Sequence, residues 1–491
     1  MPDDSDAAAE HSEADPAAAV DPAAAAEHSK ADLAAAHTVV GGSPSTGTLA
    51  SAQRARFWVL CAGVVGLAGL AMQVAPYQVD DAWIFYRYAA HLAAGHGFAF
   101  DIGGPAVEGF TSPAWTALLA AAAAVLGADS LPVVAPLIGW LAMAASTVVI
   151  GVAGGVGAAG CAAAILLWFA APGVAFYSSV AMDAPLFVLI VVVFGAATSG
   201  RIDRRFAVVV AVVAPWVRPE AGWLPVAWAC ATVASGEDLH VRMRQARPWL
   251  VGLVAGGAAL IAWRWLVFGT LLPNTYHAKA GAPVALGFHY VLAVMREPWA
   301  LGVMGLACIA AVRDWRGGGD GRARWWFGAG VAWLLAAALE GGDWMPAGRL
   351  TLPAWACFAV AGGTLAAGGT LALGALAASG PAGRSNGHDA RTSRCPQTGR
   401  RDAAVAVFAA ALVAIAGFAA LQPIGEQARA SHRGISWEAE ALAAWLVDAN
   451  LKSVALVDVG IVGFLTDIEL FDLGGLTDAR IAAAPGSLLA R

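Results

Sequence analysis

The sequence predicts an all-α polytopic membrane protein with a small α/β appendage at its C-terminal end, and three observations predict it. Of the 491 residues, 59% are hydrophobic and only 13% charged, and the mean hydropathy is +0.65. A soluble globule needs a more polar shell than that. Apolar runs begin near Phe57, Pro113, Leu131, Ala158, Asp183, Phe206, Gly222, Trp249, Pro298, Trp325, Leu350 and Ala403. At about 1.5 Å per residue against about 30 Å of hydrocarbon, they imply about 10–12 transmembrane helices. Thirdly, the connections fall into two chemical kinds.

One kind is rich in arginine: "GRIDRR" (200–205), "HVRMRQAR" (240–247), "RDWRGGGDGRAR" (313–324) and "GRSNGHDARTSRCPQTGRRD" (383–402). The bias of positive loops toward the cytoplasm places these inside. The other kind carries carboxylates, aromatics, Pro and Asn: residues 75–112, 269–297, 340–349 and everything after about 422. These belong outside.

Taken in order, residues 1–55 are Ala-rich and acidic, which predicts a structureless cytoplasmic tail and a retained first span. The membrane domain covers 56–422, with its first outer loop at 75–112 and a disordered cytoplasmic loop at 378–402. Between Pro113 and Ser199 the chain must cross an odd number of times, yet four apolar runs are present. One of them is therefore short, split or re-entrant, and "PAWTALLAAAAAVLG" is the suspect. Residues 205–235 are too few for two full spans of about 20 residues; Pro215 and Pro219 can divide them into two short legs. Residues 423–491 read as a small soluble segment. "SWEAEALAAWLVDAN" has the helical period of an amphipathic helix, and "SVALVDVG" and "IELFDLGG" read as short strands ending in turns.

Some chemistries find no support. The basic residues sit in short loops rather than on one face, which argues against nucleic acid. Five of six cysteines lie in apolar segments and Cys395 stands alone in a polar loop, so no disulfide framework or Cys/His metal spacing appears.

The first outer loop concentrates ionisable groups. In "YQVDDAWIFYRYAAHLAAGHG", a helix starting near Asp80 would place Asp80, Ile84, Arg87 and His91 along one stripe. That stripe would show carboxylate, guanidinium and imidazole to a cavity. The plainer reading is that Asp80 or Asp81 caps a surface helix, but two adjacent acids exceed what a cap needs. Glu108 lies on the same loop, in "VEGFTSPAW"; Thr111 and Ser112 there suit an ordinary helix start before Pro113. Further along the same face come Asp183, then Arg218 and Glu220 beside prolines. Asn274, His277 and Lys279 follow in "LLPNTYHAK", and Asp343 and Arg349 in "GGDWMPAGRL". Singly, each is explained by a snorkelling chain or a structural ion pair. Together, ionisable groups at membrane depth point to a site, and the expectation is that they meet in one pocket.

The ordered set "DDAWIFYRYAAHLAAGHGFAF…VEGFTSPAW", "MDAPLF", "RPE", "LLPNTYHAK", "GGDWMPAGRLTLP" and "DLGGLTD" resembles the membrane glycosyltransferases of the GT-C fold. In particular it is similar to the terminal β-arabinofuranosyltransferases of actinobacterial envelopes and their uncharacterised bacterial relatives. The resemblance implies a polyprenyl-phosphate-sugar donor, with arabinofuranose the sugar of those arabinofuranosyltransferases. The acceptor would be a hydroxyl of an envelope glycan, lipid or protein. It implies a multi-pass protein of the bacterial inner membrane, its active site facing outward. Asp80 and Asp81 are the catalytic carboxylates by this resemblance, Asp80 preferred as base. Glu108, Arg218, Glu220, Asn274, Lys279, Asp343 and Arg349 match the substrate-binding motifs. The sequence departs from the family in having Asp183 where Glu is common, "RPEAG" for "RPEG", and a tail that stops soon after "GLTD".

The chemistry of the residues runs parallel. Arg349 and Lys279, or Arg218, suit a leaving phosphate. One of the Asp pair suits proton abstraction, and the other, with Glu108, either orients the acceptor or binds a divalent cation (Mg, Mn or Ca). A single base without a protein nucleophile implies inversion. The alternative class is a transporter or flippase of lipid-linked saccharides, which would bind near the bilayer midplane between repeats.

Overall fold

The computed structural model describes residues 46–155, 157–279, 284–317, 319–377, 396–432 and 436–483. The tail expected at 1–55 and the loop expected at 378–402 lie largely outside these residues. Their inner borders move, because residues 46–55 and 396–402 are helical. Ala, Gln and Arg propagate a helix well and no Pro or Gly interrupts "SAQRAR", so the polar lead-in continues the apolar span.

The described chain is almost wholly helical. Helix α1 (Thr46–Ala71) leads to α2 (Asp80–Ala93) and α3 (Pro113–Leu126). Next come α4 (Leu131–Gly154), α5 (Ala158–Phe169), α6 (Pro172–Ser179), α7 (Ala184–Thr198), α8 (Arg205–Val217), α9 (Leu224–Ser235) and α10 (Leu239–Phe268). After the short α11 (Asn274–Lys279) follow α12 (Val284–Met295), α13 (Pro298–Arg316), α14 (Arg322–Leu339), α15 (Leu352–Ala377) and α16 (Pro396–Ser431). Among the described residues five helices are long and apolar enough to cross a membrane alone, and two more spans result if the bent pairs α5–α6 (73°) and α12–α13 (86°) each count as one.

Contacts between helix ends sort the bundle into two ends. At the arginine-rich end, Arg56 donates to the Val152 carbonyl at 3.0 Å and Arg242 to the Thr198 carbonyl at 3.0 Å. Asp314 accepts from the Gly321 amide, and Arg313 pairs with Asp402. At the opposite, loop-rich end, Ser179 Oγ reaches the Ala71 carbonyl, Arg218 meets Asp183, and Arg429 donates to the Gln73 carbonyl. Followed through these contacts, α1, α4, α5–α6, α7, α8, α9, α10, α13, α14, α15 and α16 each run from one end to the other. The passes α7, α8, α9 and α14 have only 15, 13, 12 and 18 residues. Two of these helices, α8 and α9, make the short legs expected around Pro215 and Pro219.

Helix α3 does not cross. Its 14 residues begin at a Ser112 cap, whose hydroxyl accepts from the Trp115 amide, and end at Gly127, with φ 87°. Just beyond it, Gln78 beside α2 donates to the Pro132 carbonyl at 2.6 Å. Both ends of α3 therefore stay at the loop-rich end, which resolves the parity problem at the suspected segment. Helix α12 also lies across that end, where Gly287 packs on Ala338 and Tyr290 hydrogen-bonds the Leu350 amide at 3.2 Å.

The last span continues to Ser431, so the appendage begins later than 423. It comprises α17 (Trp437–Asp448), β1 (Ser453–Leu456), α18 (Gly460–Leu465), β2 (Glu469–Asp472) and the short α19 (Ala479–Ala482). The strands pair in parallel, Ser453 opposite Glu469, and α18 forms the crossover. On α17 the buried positions are Ala443 and Leu446, while Trp437 and Trp445 are exposed.

Candidate functional site

The first outer loop and the appendage clasp one another. Both oxygens of Asp80 accept backbone hydrogen bonds from the appendage, Oδ2 from Gly460 at 2.8 Å and Oδ1 from Ile461 at 2.9 Å. Close approach requires glycine there: a Cβ on Gly460 would sit 2.0 Å from the Asp80 carbonyl oxygen. Burial pushes the Asp80 carboxyl up to about 6, against the opposing pull of those two amides. Tyr77 stands within electrostatic reach of Asp80, Asp81 and Asp458; its pKa is raised by burial and then by those carboxylates. These four residues form an acidic group at the start of α2.

Arg87 and His91 correct the expectation that their stripe faces a cavity. Arg87 is 2% exposed. Its guanidinium donates to the carbonyls of Phe100, Gly463, Thr466 and Ile468 and pairs with Asp101 at 2.7 Å. It also lies over the Phe100 ring, 4.7 Å from its centroid. His91 Nδ1 is 2.9 Å from the Ala99 carbonyl. Both side chains build the loop and hold no open surface for a ligand.

Glu108 and Asn274 are structural as well. Arg264, one turn before the end of α10, grips both Glu108 oxygens at 2.8–3.1 Å in a buried pair. The cation site weighed for Glu108 with one of the Asp pair thus has no free ligand on the glutamate side. Asn274 donates to the Gly475 and Leu476 carbonyls at 2.7 and 2.8 Å, pinning the "LGGLTD" turn. Buried Asp472 organises that turn from within by accepting from the amides of Gly474, Gly475 and Thr477. His277 is exposed and edge-on to Tyr276. The Lys279 side chain lies outside the described residues.

A second group forms where α7, α8, α14 and α15 meet at the same end. Arg218 Nη1 bonds both oxygens of fully buried Asp183, at 3.0 and 3.1 Å, and Nη2 bonds Glu220. Burial pushes the Glu220 carboxyl up, but the Arg218 charge and hydrogen bond outweigh it and hold it below its ordinary value. Its second oxygen is buried with no hydrogen-bond partner. Arg349 Nε approaches Asp343 Oδ2 to 2.8 Å, yet neither atom makes an aligned hydrogen bond. Two alanines with left-handed backbone flank this group, Ala181 (φ 62°) and Ala347 (φ 63°). Each such residue costs about 1–3 kcal/mol and persists where surrounding structure imposes it.

Arg218, Glu220, Glu340 and Arg349 line one wall of a cavity whose other wall is apolar, from Phe187, Val188 and Trp333. Its space is about 10 Å3, roughly one water. Trp223 Nε1 donates to Glu340 at 2.8 Å at the rim.

The two groups are neighbours rather than one pocket, and α6 stands between them. Phe176 faces the acidic side, its ring centroid 6.2 Å from that of Tyr77. Tyr177 faces the other side, donating to the Pro346 carbonyl at 2.7 Å, with Arg349, Asp343 and Arg218 in electrostatic reach. Arg264, Asp101, Asp458, Asp472 and Glu340 were missed in the sequence. Arg264 carried a signal as a lone charge inside the apolar "AWRWLVFG", and Asp472 and Glu340 opened stretches already singled out, "DLGGLTD" and 340–349, without being named. Among the described residues no group of three or more His, Cys, Asp or Glu side chains is arranged to hold a metal ion. No family model, curated protein or solved structure matches the chain.

Proposed function

We propose that the protein is an integral-membrane inverting glycosyltransferase of GT-C type, taking its sugar from a polyprenyl-phosphate donor. The acceptor is a hydroxyl on a cell-envelope glycan, lipid or protein. The observation that carries the reading is the pair of neighbouring groups at one end of the bundle. Carboxylates lie on one side of α6, and a strained, two-arginine cluster with an apolar wall lies on the other.

In this reading the lipid chain of the donor runs along the apolar wall of α7 and α14. Its phosphate displaces Asp343 from Arg349, the contact of the cluster that lacks hydrogen-bond alignment. The cavity holds about one water, so the donor opens it by moving the 343–349 turn. Arg218, already holding two carboxylates, positions rather than binds. Asp80 is tied to Gly460 and Ile461; Asp81, itself engaged in the same acidic group, serves as the base in this reading. Asp81 takes the proton of the acceptor hydroxyl, and the acceptor oxygen bonds to the anomeric carbon. The carbon–oxygen bond to phosphate breaks, and its electron pair leaves on the lipid phosphate beside Arg349. Abundant positive charge at the other end supports the reading that this end faces outward. Arabinofuranose is carried by the family resemblance alone.

A transporter of lipid-linked saccharides is favoured by one feature, the broken helices α5–α6 and α12–α13. Both breaks lie at the loop-rich end rather than midway along the bundle, as a carrier's site requires.

The test is incubation of the purified chain with a panel of polyprenyl-phosphate sugars and short glycan acceptors, following released lipid phosphate. Asp81→Asn is expected to lower the rate about 10²–10⁴-fold. Release unchanged in Asp81→Asn refutes the base assignment, and no release from any donor refutes the enzyme.

A further inference from the structure

A larger cavity lies at the opposite end of the bundle, where "GRIDRR" and "HVRMRQAR" come together. Its space is about 260 Å3, bounded by the end of α7 and the starts of α8 and α10. A single water needs about 10–15 Å3 by this measure, so the cavity admits a molecular headgroup. Its rim and walls differ in chemistry. Arg204, Arg205 and Arg242 stand at the rim, while Val208, Trp228 and Trp249 make the wall. The two indoles are buried and packed edge to face, centroids 5.4 Å apart, so the wall is rigid.

The rim is cationic after its counter-charges are counted. Arg242 is held by the Thr198 carbonyl, Gln245 and Glu237. Asp203 accepts from the Arg205 amide at 2.8 Å, and its charge together with that of Glu237 still leaves the three rim arginines one positive charge in excess. Arg204 and Arg205 are exposed at the mouth, at the positive end of the α8 dipole.

We propose that this cavity binds the phosphate of an anionic amphiphile, with guanidinium groups of Arg204 and Arg205 on the phosphate and an acyl chain against Trp228 and Trp249. Basic pockets between spanning helices select anionic headgroups by such pairing. This site is separate from the sugar-transfer site and stands whether or not that reading holds.

Native mass spectrometry of the purified full chain tests it, with dioleoyl phosphatidylglycerol, dioleoyl phosphatidylcholine and inorganic phosphate as probes. Phosphatidylglycerol is expected to bind about tenfold more tightly than phosphatidylcholine, as one charge-assisted contact supplies. The double variant Arg204→Gln/Arg205→Gln is expected to erase that preference, and Arg204→Lys/Arg205→Lys to retain most of it. Both arginines are exposed, so the variants should unfold at the wild-type temperature. Displacement of the lipid by millimolar phosphate supports the anion site with free phosphate as its occupant; resistance to displacement supports a lipid. Equal binding of the two lipids, or an undiminished preference in the Gln variant, overturns the proposal.

Discussion

Asp80 and Asp81 are adjacent in sequence, but Asp80 is committed to the appendage through two backbone amides. Its carboxyl is held at about 6 against an ordinary 3.8. Because the folded value is the higher one, the protonated form favours folding. That contribution is complete below about pH 4 and is lost as pH rises through about 6. Asn at this position mimics the neutral carboxyl. Thermal unfolding of wild type and Asp80→Asn should therefore diverge between pH 4 and 6, wild type losing ground as pH rises. A constant gap across that window contradicts the assignment. Glu220 has the opposite sign: Arg218 depresses its pKa, so its share of stability is present near neutrality and disappears on acidification.

Two elements carry the docking of the appendage and the first loop. Arg264 and Glu108 are both nearly inaccessible and satisfy one another. Arg264→Ala strands a buried carboxylate and should destabilise the protein by about 3–5 kcal/mol. Arg264→Met with Glu108→Gln should recover much of it, measured by thermal unfolding in detergent. If the single and double variants unfold together, the pair is not coupled. At the other contact, Gly460→Val pushes a side chain into the α2 backbone. Limited proteolysis should then release the appendage well before the bundle is cut, and wild-type protection would show that the clasp is not needed. These elements also mark where sequence reading stopped. Apolar runs, the suspect segment 113–127, the division near Pro219 and the two short strands of the appendage were legible because each is local; the crossover helix between those strands was not read. Arg87, by contrast, has the amphipathic placement of a cavity residue, but its partner Gly463 lies 376 residues away. No local pattern distinguishes a group facing a cavity from one facing a distant backbone.

At the scale of the whole molecule, one end of the bundle gathers Asp80, Asp81, Asp183, Arg218, Glu220, Asp343 and Arg349. The other gathers Arg201, Arg204, Arg205, Arg242, Arg313 and Arg322. The alternation of loop chemistry made that division legible. The partition of the site by α6 was not, since "PGVAFYSS" looks like one more stretch of span. Its break at Pro172 turns Phe176 and Tyr177 toward different groups. The account depends on the acidic loop and the arginine loops lying on opposite sides of the membrane, the acidic loop outward. Single cysteines at Ile102 and Asp320, both exposed, placed in a cysteine-free chain and labelled with an impermeant maleimide on intact cells, test this most directly. Ile102→Cys should label without permeabilisation and Asp320→Cys only after it; labelling of both from one side, or the reverse order, would contradict the account.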